Sequence, residues 1–114
     1  MSPEEITLIE DFLTFLEAAH TKPADDPFWS QLDSFQAALV DVEDRPLKLA
    51  WHIQAWCDQF QITINPAAMR ELRVNMIKKG KTIPKPAEGE EASKVYNKAL
   101  ISQSVQKAKD SKSA

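Results

Sequence analysis

The sequence is short of glycine, cysteine and histidine, and each shortage excludes a class of structure or chemistry. Only two glycines, Gly80 and Gly89, occur in 114 residues, so tight β-hairpin turns, which need residues that tolerate positive φ, cannot be numerous. The clustered glycines of dinucleotide-binding and P-loop sites are missing as well. The single cysteine, Cys57, cannot form an internal disulfide, which favours a reducing compartment.

Long apolar runs are also missing. No stretch approaches the roughly 20 apolar residues that a helix needs to cross a bilayer. The first residues, Met-Ser-Pro-Glu-Glu-Ile, are acidic and begin an amphipathic segment, which differs from a signal peptide. The basic C-terminal part has no Trp or Phe that could enter a membrane interface. We therefore expect a soluble, cytoplasmic protein without a membrane partner.

What is present is a set of four apolar patterns with a helical period, and each of them begins at a proline. Proline suits the first position of a helix, because its missing N–H would have no intrahelical partner there. Gly80 follows Lys78-Lys79, as expected for a helix that ends in a basic turn and a glycine cap. The patterns predict helices over 3–21, 27–42, 45–60 and 66–79, and thus an all-α protein in which residues 1–80 form a small four-helix bundle.

The segment 81–114 has a different character. Pro84 and Pro86 indicate a stiff, solvated linker. Residues 91–108 favour a helix, but its apolar stripe lacks bulk and predicts only a marginal fifth helix, with a disordered end after it. The stripe consists of Ala92, Val95, Tyr96, Ala99 and Leu100. We expect this segment to be a linker followed by a basic, partly helical or disordered tail.

Charge is divided unequally along the chain. Residues 1–44 contain eleven acidic residues and one base, whereas residues 45–114 contain six acidic residues and thirteen bases. Such asymmetry indicates either a charged partner or neutralisation of one half by the other in the fold. The acidic residues Asp41, Glu43 and Asp44 fall at the negative end of the second predicted helix, so that end should fray or need a basic neighbour.

Residues suited to metal binding or catalysis are few. His52 and Cys57 are five positions apart on one helix, which places them about 140° apart around its axis, so they cannot hold one ion. Cys57 shares the apolar face of its helix, where burial makes a thiol inert, and His52 falls on a polar strip that should be solvated. These features predict no metal site, no cofactor and no enzymatic activity.

Acidic residues of the first helix fall on the half opposite its apolar side, which predicts that they are solvated. This half contains Glu10, Asp11, Thr14 and Glu17. General acid–base catalysis would need one carboxyl group buried with a shifted pKa, and no pattern here indicates that. The aromatic residues before position 61 are expected to fill the core.

Several apolar residues fall outside the core stripes and suggest contact with another molecule. Trp and Arg are enriched at the energetic centres of protein interfaces, and apolar side chains alternate with bases on the fourth helix. The predicted partner-binding residues are Arg70, Arg73, Val74, Ile77, Lys78, Lys79, Trp29, Trp51 and Tyr96. Val40 also falls outside the core stripe of its helix. The favoured function is a non-enzymatic adaptor or regulatory subunit that binds another protein, for example an acidic one, or a second copy of itself. The predicted binding surface is the exposed side of the fourth helix together with the basic tail. Burial of Trp51 in the core remains an alternative.

A second hypothesis is nucleic-acid binding through the helix pair 45–79. Phe60, Ile62 and Thr63 are placed like the end of a first helix and its turn, and Asn65-Pro66-Ala67-Ala68-Met69-Arg70 like the start of a second helix. This stretch resembles the helix-turn-helix family. The resemblance implies base or phosphate contacts for Arg70 and Arg73, and phosphate contacts for Lys78, Lys79 and Lys81.

Overall fold

The computed structural model describes residues 3–19, 22–80 and 91–111, and these contain helices and no strand. The all-α class is therefore confirmed. The helices are α1 (Pro3–Ala18), α2 (Pro27–Leu39), α3 (Pro46–Phe60), α4 (Pro66–Lys78), α5 (Ala92–Val95) and α6 (Lys98–Ser111). The first four begin at their prolines or one residue from the predicted start. The predicted linker and the neighbourhood of His20 lie outside the described residues.

Side-chain and glycine caps explain why the helices begin and end where they do. The carboxylate of Asp26 accepts a hydrogen bond from the Phe28 amide at 2.9 Å, and the Asn65 side chain accepts one from the Ala67 amide at the same distance. Both residues satisfy an amide that has no partner within its helix. Gly80 follows α4 with φ of 79°, a conformation that glycine adopts without strain.

Helix α1 lies at the centre and contacts α3, α4 and α6, while α2 contacts α3 and α6. The apolar side of α1 faces the core, as predicted. Its polar side is also covered, since Asp11 is 2% exposed and Thr14 is fully buried. The prediction of a solvated polar half is thus wrong at these two positions, because α4 lies against them. None of the helices in the described residues has the length and apolar character needed to span a membrane.

Aromatic rings from three helices form the middle of the core. Phe12 lies 4.9 Å from Phe35 between ring centroids, and Trp56 meets Phe35 edge to face at 5.5 Å. The indole N–H of Trp56 donates to the Gln31 carbonyl at 2.8 Å. The prediction for His52 is wrong: its ring is half-buried, stacks on Phe35 at 4.5 Å and places Nε2 3.1 Å from the Phe35 carbonyl oxygen.

Helix α6 contributes fully to this core, in contrast to the marginal helix expected. Ile101 and Val105 of α6 are completely buried, as is Tyr96 just before it, and Ala108 is 4% exposed. The expected stripe includes Tyr96 but misses the three positions in α6, because residues 91–108 do not form one continuous helix. Instead, the Asn97 side chain accepts a hydrogen bond from the Leu100 amide at 2.8 Å and starts a new helix.

Candidate functional site

Helix α4 has an inner and an outer side. Met69 is buried, and Leu72, Arg73 and Met76 are half-buried on the side that packs against α1. Residues spaced i, i+4, i+7 and i+8 share one side of a helix, and on the opposite side of α4 this spacing brings together Arg70, Val74, Ile77 and Lys78. We call these four residues the outer face of α4.

The outer face combines apolar area with positive charge. Val74 is 47% exposed and Ile77 is 58% exposed, and the bases on either side of them are exposed too. Among the described residues, Arg70, Lys78 and the adjacent Lys79 form no ion pair with an acidic side chain. The predicted residues of this face are therefore available to another molecule.

Arg73 differs from the other predicted bases because it points inward. Its guanidinium lies 2.7 Å from the Asp11 carboxylate and 3.3 Å from the Thr14 hydroxyl. The Arg73 side chain is 21% exposed and that of Asp11 only 3%. A charge-assisted hydrogen bond that is largely shielded from water is strong, so the Arg73–Asp11 contact holds α4 against α1. Arg73 therefore serves an intramolecular contact, in contrast to its predicted role in binding a partner.

Trp29 and Tyr96, two further predicted contact residues, lie in the core. Trp29 is 4% exposed and its indole N–H donates to the Pro23 carbonyl at 2.7 Å. Tyr96 is fully buried, and its hydroxyl donates to the Glu10 carboxylate at 3.2 Å. Burial, and next the negative charge of Glu10, raise the pKa of Tyr96 well above its ordinary value. Neither side chain can touch a partner while the chain is folded.

Trp51 is placed in the opposite way, on the solvent side of α3. It is 56% exposed, so its burial in the core, left open from sequence, is excluded. The Lys48 ammonium lies 4.6 Å from the centre of its ring, a cation–π contact of modest strength at an exposed position. Leu47 is half-buried and Ala55 exposed beside it. Leu47, Trp51 and Ala55, spaced four residues apart on α3, thus form a line that faces outward, and the central helix is α1.

The bases of α6 contact other groups of the same chain. Lys107 pairs with Glu17 at 3.3 Å, and Lys109 pairs with Asp33. The Lys98 ammonium donates to the carbonyls of Val40 and Val42, at 2.6 and 2.8 Å. Lys98 is thus a basic neighbour at the acidic end of the second helix. Residues 98–109 therefore neutralise part of the acidic first half, and Arg70, Lys78 and Lys79 of α4 are among the described bases that keep their charge unpaired.

Cys57, the single cysteine of the chain, is held in an unreactive position. Cys57 is buried, and burial together with the nearby charge of Asp58 raises the pKa of its thiol to about 11. At neutral pH the thiol is protonated and therefore a poor nucleophile. Within residues 3–19, 22–80 and 91–111, no three His, Cys, Asp or Glu side chains come together as a metal site.

One exposed feature is not among the predicted partner-binding residues. Val40, just after α2, is 71% exposed, and the acidic residues Asp41, Glu43 and Asp44 follow it in the turn to α3. Its position outside the core stripe of the second helix agrees with this exposure.

In comparisons with known proteins, no family model matches the chain, and neither does any curated protein or any solved structure.

Proposed function

We propose that this protein is a non-enzymatic interaction module, a small cytoplasmic adaptor or regulatory subunit that binds another protein through the outer face of α4. The single observation that carries this proposal is the combination on one helix side of exposed Val74 and Ile77 with bases that have no described ion-pair partner. Arginine beside apolar side chains is typical of binding hot spots.

The outer face is presented on a fixed support, because the opposite side of α4 is anchored to α1. The Arg73–Asp11 ion pair and buried Met69 restrict the rotation of the helix about its axis. A surface that is already ordered loses little conformational entropy when a partner binds. Fully burying a valine or isoleucine side chain is worth about 1.5–3 kcal/mol, and about half of each is still exposed here.

The basic tail contributes less to this proposal than its composition suggests. Lys98, Lys107 and Lys109 are engaged with groups of α1, α2 and the turn after α2. A partner that used Lys98 or Lys109 would have to displace those contacts, whereas Lys107 is 77% exposed and its pair with Glu17 is a weak surface pair. Binding is therefore assigned mainly to α4, with α6 as part of the helical scaffold. Trp51 offers a separate apolar anchor on α3.

Quantitative affinity purification of the full chain, with matched variants, tests the proposal. Val74→Asp together with Ile77→Asp places charges on the outer face, at sites exposed enough to leave the fold intact. Ala37→Asp together with Ala38→Asp makes a similar change on exposed positions of α2. We expect the first variant to lose at least about tenfold in partner recovery and the second to match the wild type. Equal recovery by all three proteins would refute the assignment to α4.

Nucleic-acid binding through α3 and α4 is the second candidate, favoured by the exposed bases Arg70, Lys78 and Lys79. Two observations weigh against it. Arg73 is engaged with Asp11, and α3 and α4 pack mainly on α1 rather than on each other. A titration of labelled duplex DNA and RNA at about 50 mM salt, where phosphate contacts are strongest, is decisive. If neither is bound there, this candidate is eliminated.

A further inference from the structure

The charges that have no ion-pair partner among the described residues include two groups of opposite sign at separate places. Bases without a described acidic partner are on the outer face of α4, and acidic residues collect in the turn between α2 and α3. We call Val40, Asp41, Glu43 and Asp44 the acidic corner. Among the described residues no hydrogen bond or ion pair joins the corner to the outer face within one chain.

Hydrogen bonds hold the turn that forms the acidic corner in one conformation. Lys98 donates to the carbonyls of Val40 and Val42, and the amide of Val42 donates to the Leu39 carbonyl at 3.0 Å. The Asp44 carboxylate accepts a hydrogen bond from the Lys98 amide at 2.8 Å. These contacts hold the turn while leaving the Val40 side chain 71% exposed. The corner therefore presents an ordered, exposed valine side chain next to acidic residues.

Two of those carboxylates are available for a contact between molecules. Asp41 is exposed and has no ion-pair partner among the described residues. Glu43 meets only Arg45, at 3.5 Å, and both side chains are more than half exposed. Such a pair on the surface contributes little and is easily exchanged for another. The corner is thus complementary to the outer face, because each surface has an exposed apolar side chain and the two surfaces carry opposite charge.

We infer that the partner of the outer face is the acidic corner of a second copy of this chain. This inference rests on the proposed function and names the partner of the same surface. Val40 of one copy would cover Val74 and Ile77 of the next, while Asp41 and Glu43 face the bases. Complementary charges of this kind fix the orientation of two partners and reject like-charged alternatives.

The contact is head to tail, because two different surfaces meet. Each dimer keeps one free outer face and one free acidic corner, so further copies add until a ring closes or a filament grows. The surfaces are exposed and charged, so salt should weaken the contact strongly. Self-association therefore depends on protein concentration and decreases as ionic strength rises.

Charge reversal in the full chain, followed by sedimentation velocity at concentrations up to about 1 mM, tests the inference. The face variant carries Arg70→Glu and Lys78→Glu, and the corner variant carries Asp41→Lys and Glu43→Lys. A swapped variant carries all four changes. We expect wild type to form larger species at low salt, each two-residue variant to associate at least about tenfold more weakly, and the swapped variant to recover the wild-type behaviour. Circular dichroism verifies that each variant is folded.

Every other result contradicts the inference in a recognisable way. A wild type that stays monomeric throughout excludes the second copy as partner, while the partner recovery of the Val74→Asp, Ile77→Asp variant still decides the proposed function independently. Association that the face variant abolishes and the corner variant leaves unchanged would mean a symmetric contact of α4 with α4. Association that neither variant changes would place the contact elsewhere on the molecule. Failure of the swapped variant to associate would exclude pairing between these two surfaces.

Discussion

Helices α4 and α6 have similar lengths and both carry several bases, yet the fold uses them in opposite ways. Ile101 and Val105 of α6 are fully buried, while Val74 and Ile77 of α4 are about half exposed. The lysines of α6 contact acidic groups or carbonyls, whereas Arg70 and Lys78 have no such described partner. The helix that looked like a bundle member is the less buried of the two.

The difference shows that the number of charged and apolar residues on a helix does not determine which surface it presents. Helix α6 lies between α1 and α2 and touches both, so it meets their acidic residues. Helix α4 has its principal contact with α1 alone, and one ion pair on its inner side is enough to orient it. Its outer face is thereby left to solvent, which is the basis for assigning it a binding role.

Ending the chain at residue 90 should have the largest effect, because it deletes α6. Three of the side chains lost, Tyr96, Ile101 and Val105, are fully buried, and burial of each is worth about 1.5–3 kcal/mol. The sum approaches the whole stability of a small domain. We expect loss of cooperative thermal unfolding, measured by circular dichroism. Ending the chain at residue 111 is the control, and cooperative unfolding of the shorter form would show that α6 is dispensable.

The next comparison uses one substitution at two sites. Ile101→Ala should lower the free energy of unfolding by about 2–5 kcal/mol, because it leaves a cavity at a fully buried position. Ile77→Ala should change it by less than about 0.5 kcal/mol, since Ile77 is 58% exposed. Urea denaturation measures both. Similar losses at the two sites would contradict the contrast between α4 and α6.

Arg73 of α4 pairs with an acidic residue of another helix, as Lys107 and Lys109 of α6 do. Its replacement should lower the free energy of unfolding by an intermediate amount. Arg73→Met leaves the Asp11 carboxylate buried without its partner, and we expect a loss of about 2–4 kcal/mol because partial exposure of Arg73 reduces the penalty of a fully buried charge. Arg70→Met, on the outer face, is the matched control. Addition of Asp11→Asn to Arg73→Met should restore part of the stability, and a double-mutant cycle in urea quantifies the coupling.

The smallest effect is expected for Tyr96→Phe, which removes only the hydrogen bond to Glu10. The cost at neutral pH should be about 1 kcal/mol. Because burial raises the pKa of Tyr96 in the folded protein, the unfolded chain loses its phenol proton first, from pH of about 10 upward. The stabilising contribution is therefore complete below that pH and decreases as pH rises further.

Stability curves of wild type and Tyr96→Phe between neutral and strongly alkaline pH test this assignment. The other ionisable groups are the same in both proteins, so the difference between the two curves isolates Tyr96. The two free energies of unfolding should approach each other as the pH rises, since only the wild type loses the tyrosine contribution. A constant difference between the curves at every pH would show that ionisation of Tyr96 is not linked to folding.

The helices of the first 80 residues were predictable to within a few residues, because proline starts and glycine or polar caps are local signals. Which side of each helix faces a neighbour was less predictable. Asp11 and Thr14 fall on the polar side of α1, and only the placement of α4 against that side buries them. Trp29 was assigned to the surface, but the turn after α1 supplies a carbonyl for its N–H. Such placements depend on neighbours distant in sequence.

The candidate site was predictable in part for the same reason. The spacing of Arg70, Val74 and Ile77 identified one helix side, and that side is exposed as expected. The same spacing could not tell that Arg73 would turn inward, because its acidic partner is 62 residues away in the chain. The acidic residues of the corner were noted as a feature of helix electrostatics and Val40 as a residue outside the core stripe, whereas the Lys98 contacts that hold this turn join residues distant in sequence.

The central position of α1 has a consequence for how fast the protein folds. Glu10 contacts Tyr96, 86 positions later in the chain, and Glu17 contacts Lys107, 90 positions later. The contacts of α1 therefore cannot all form until a very long loop has closed. Most helical domains fold rapidly because their contacts are local, and the folding rate decreases as the mean sequence separation of contacts grows. The docking of α6 onto α1 is expected to be a late step, slower than the assembly of neighbouring helices in a simple up-and-down bundle.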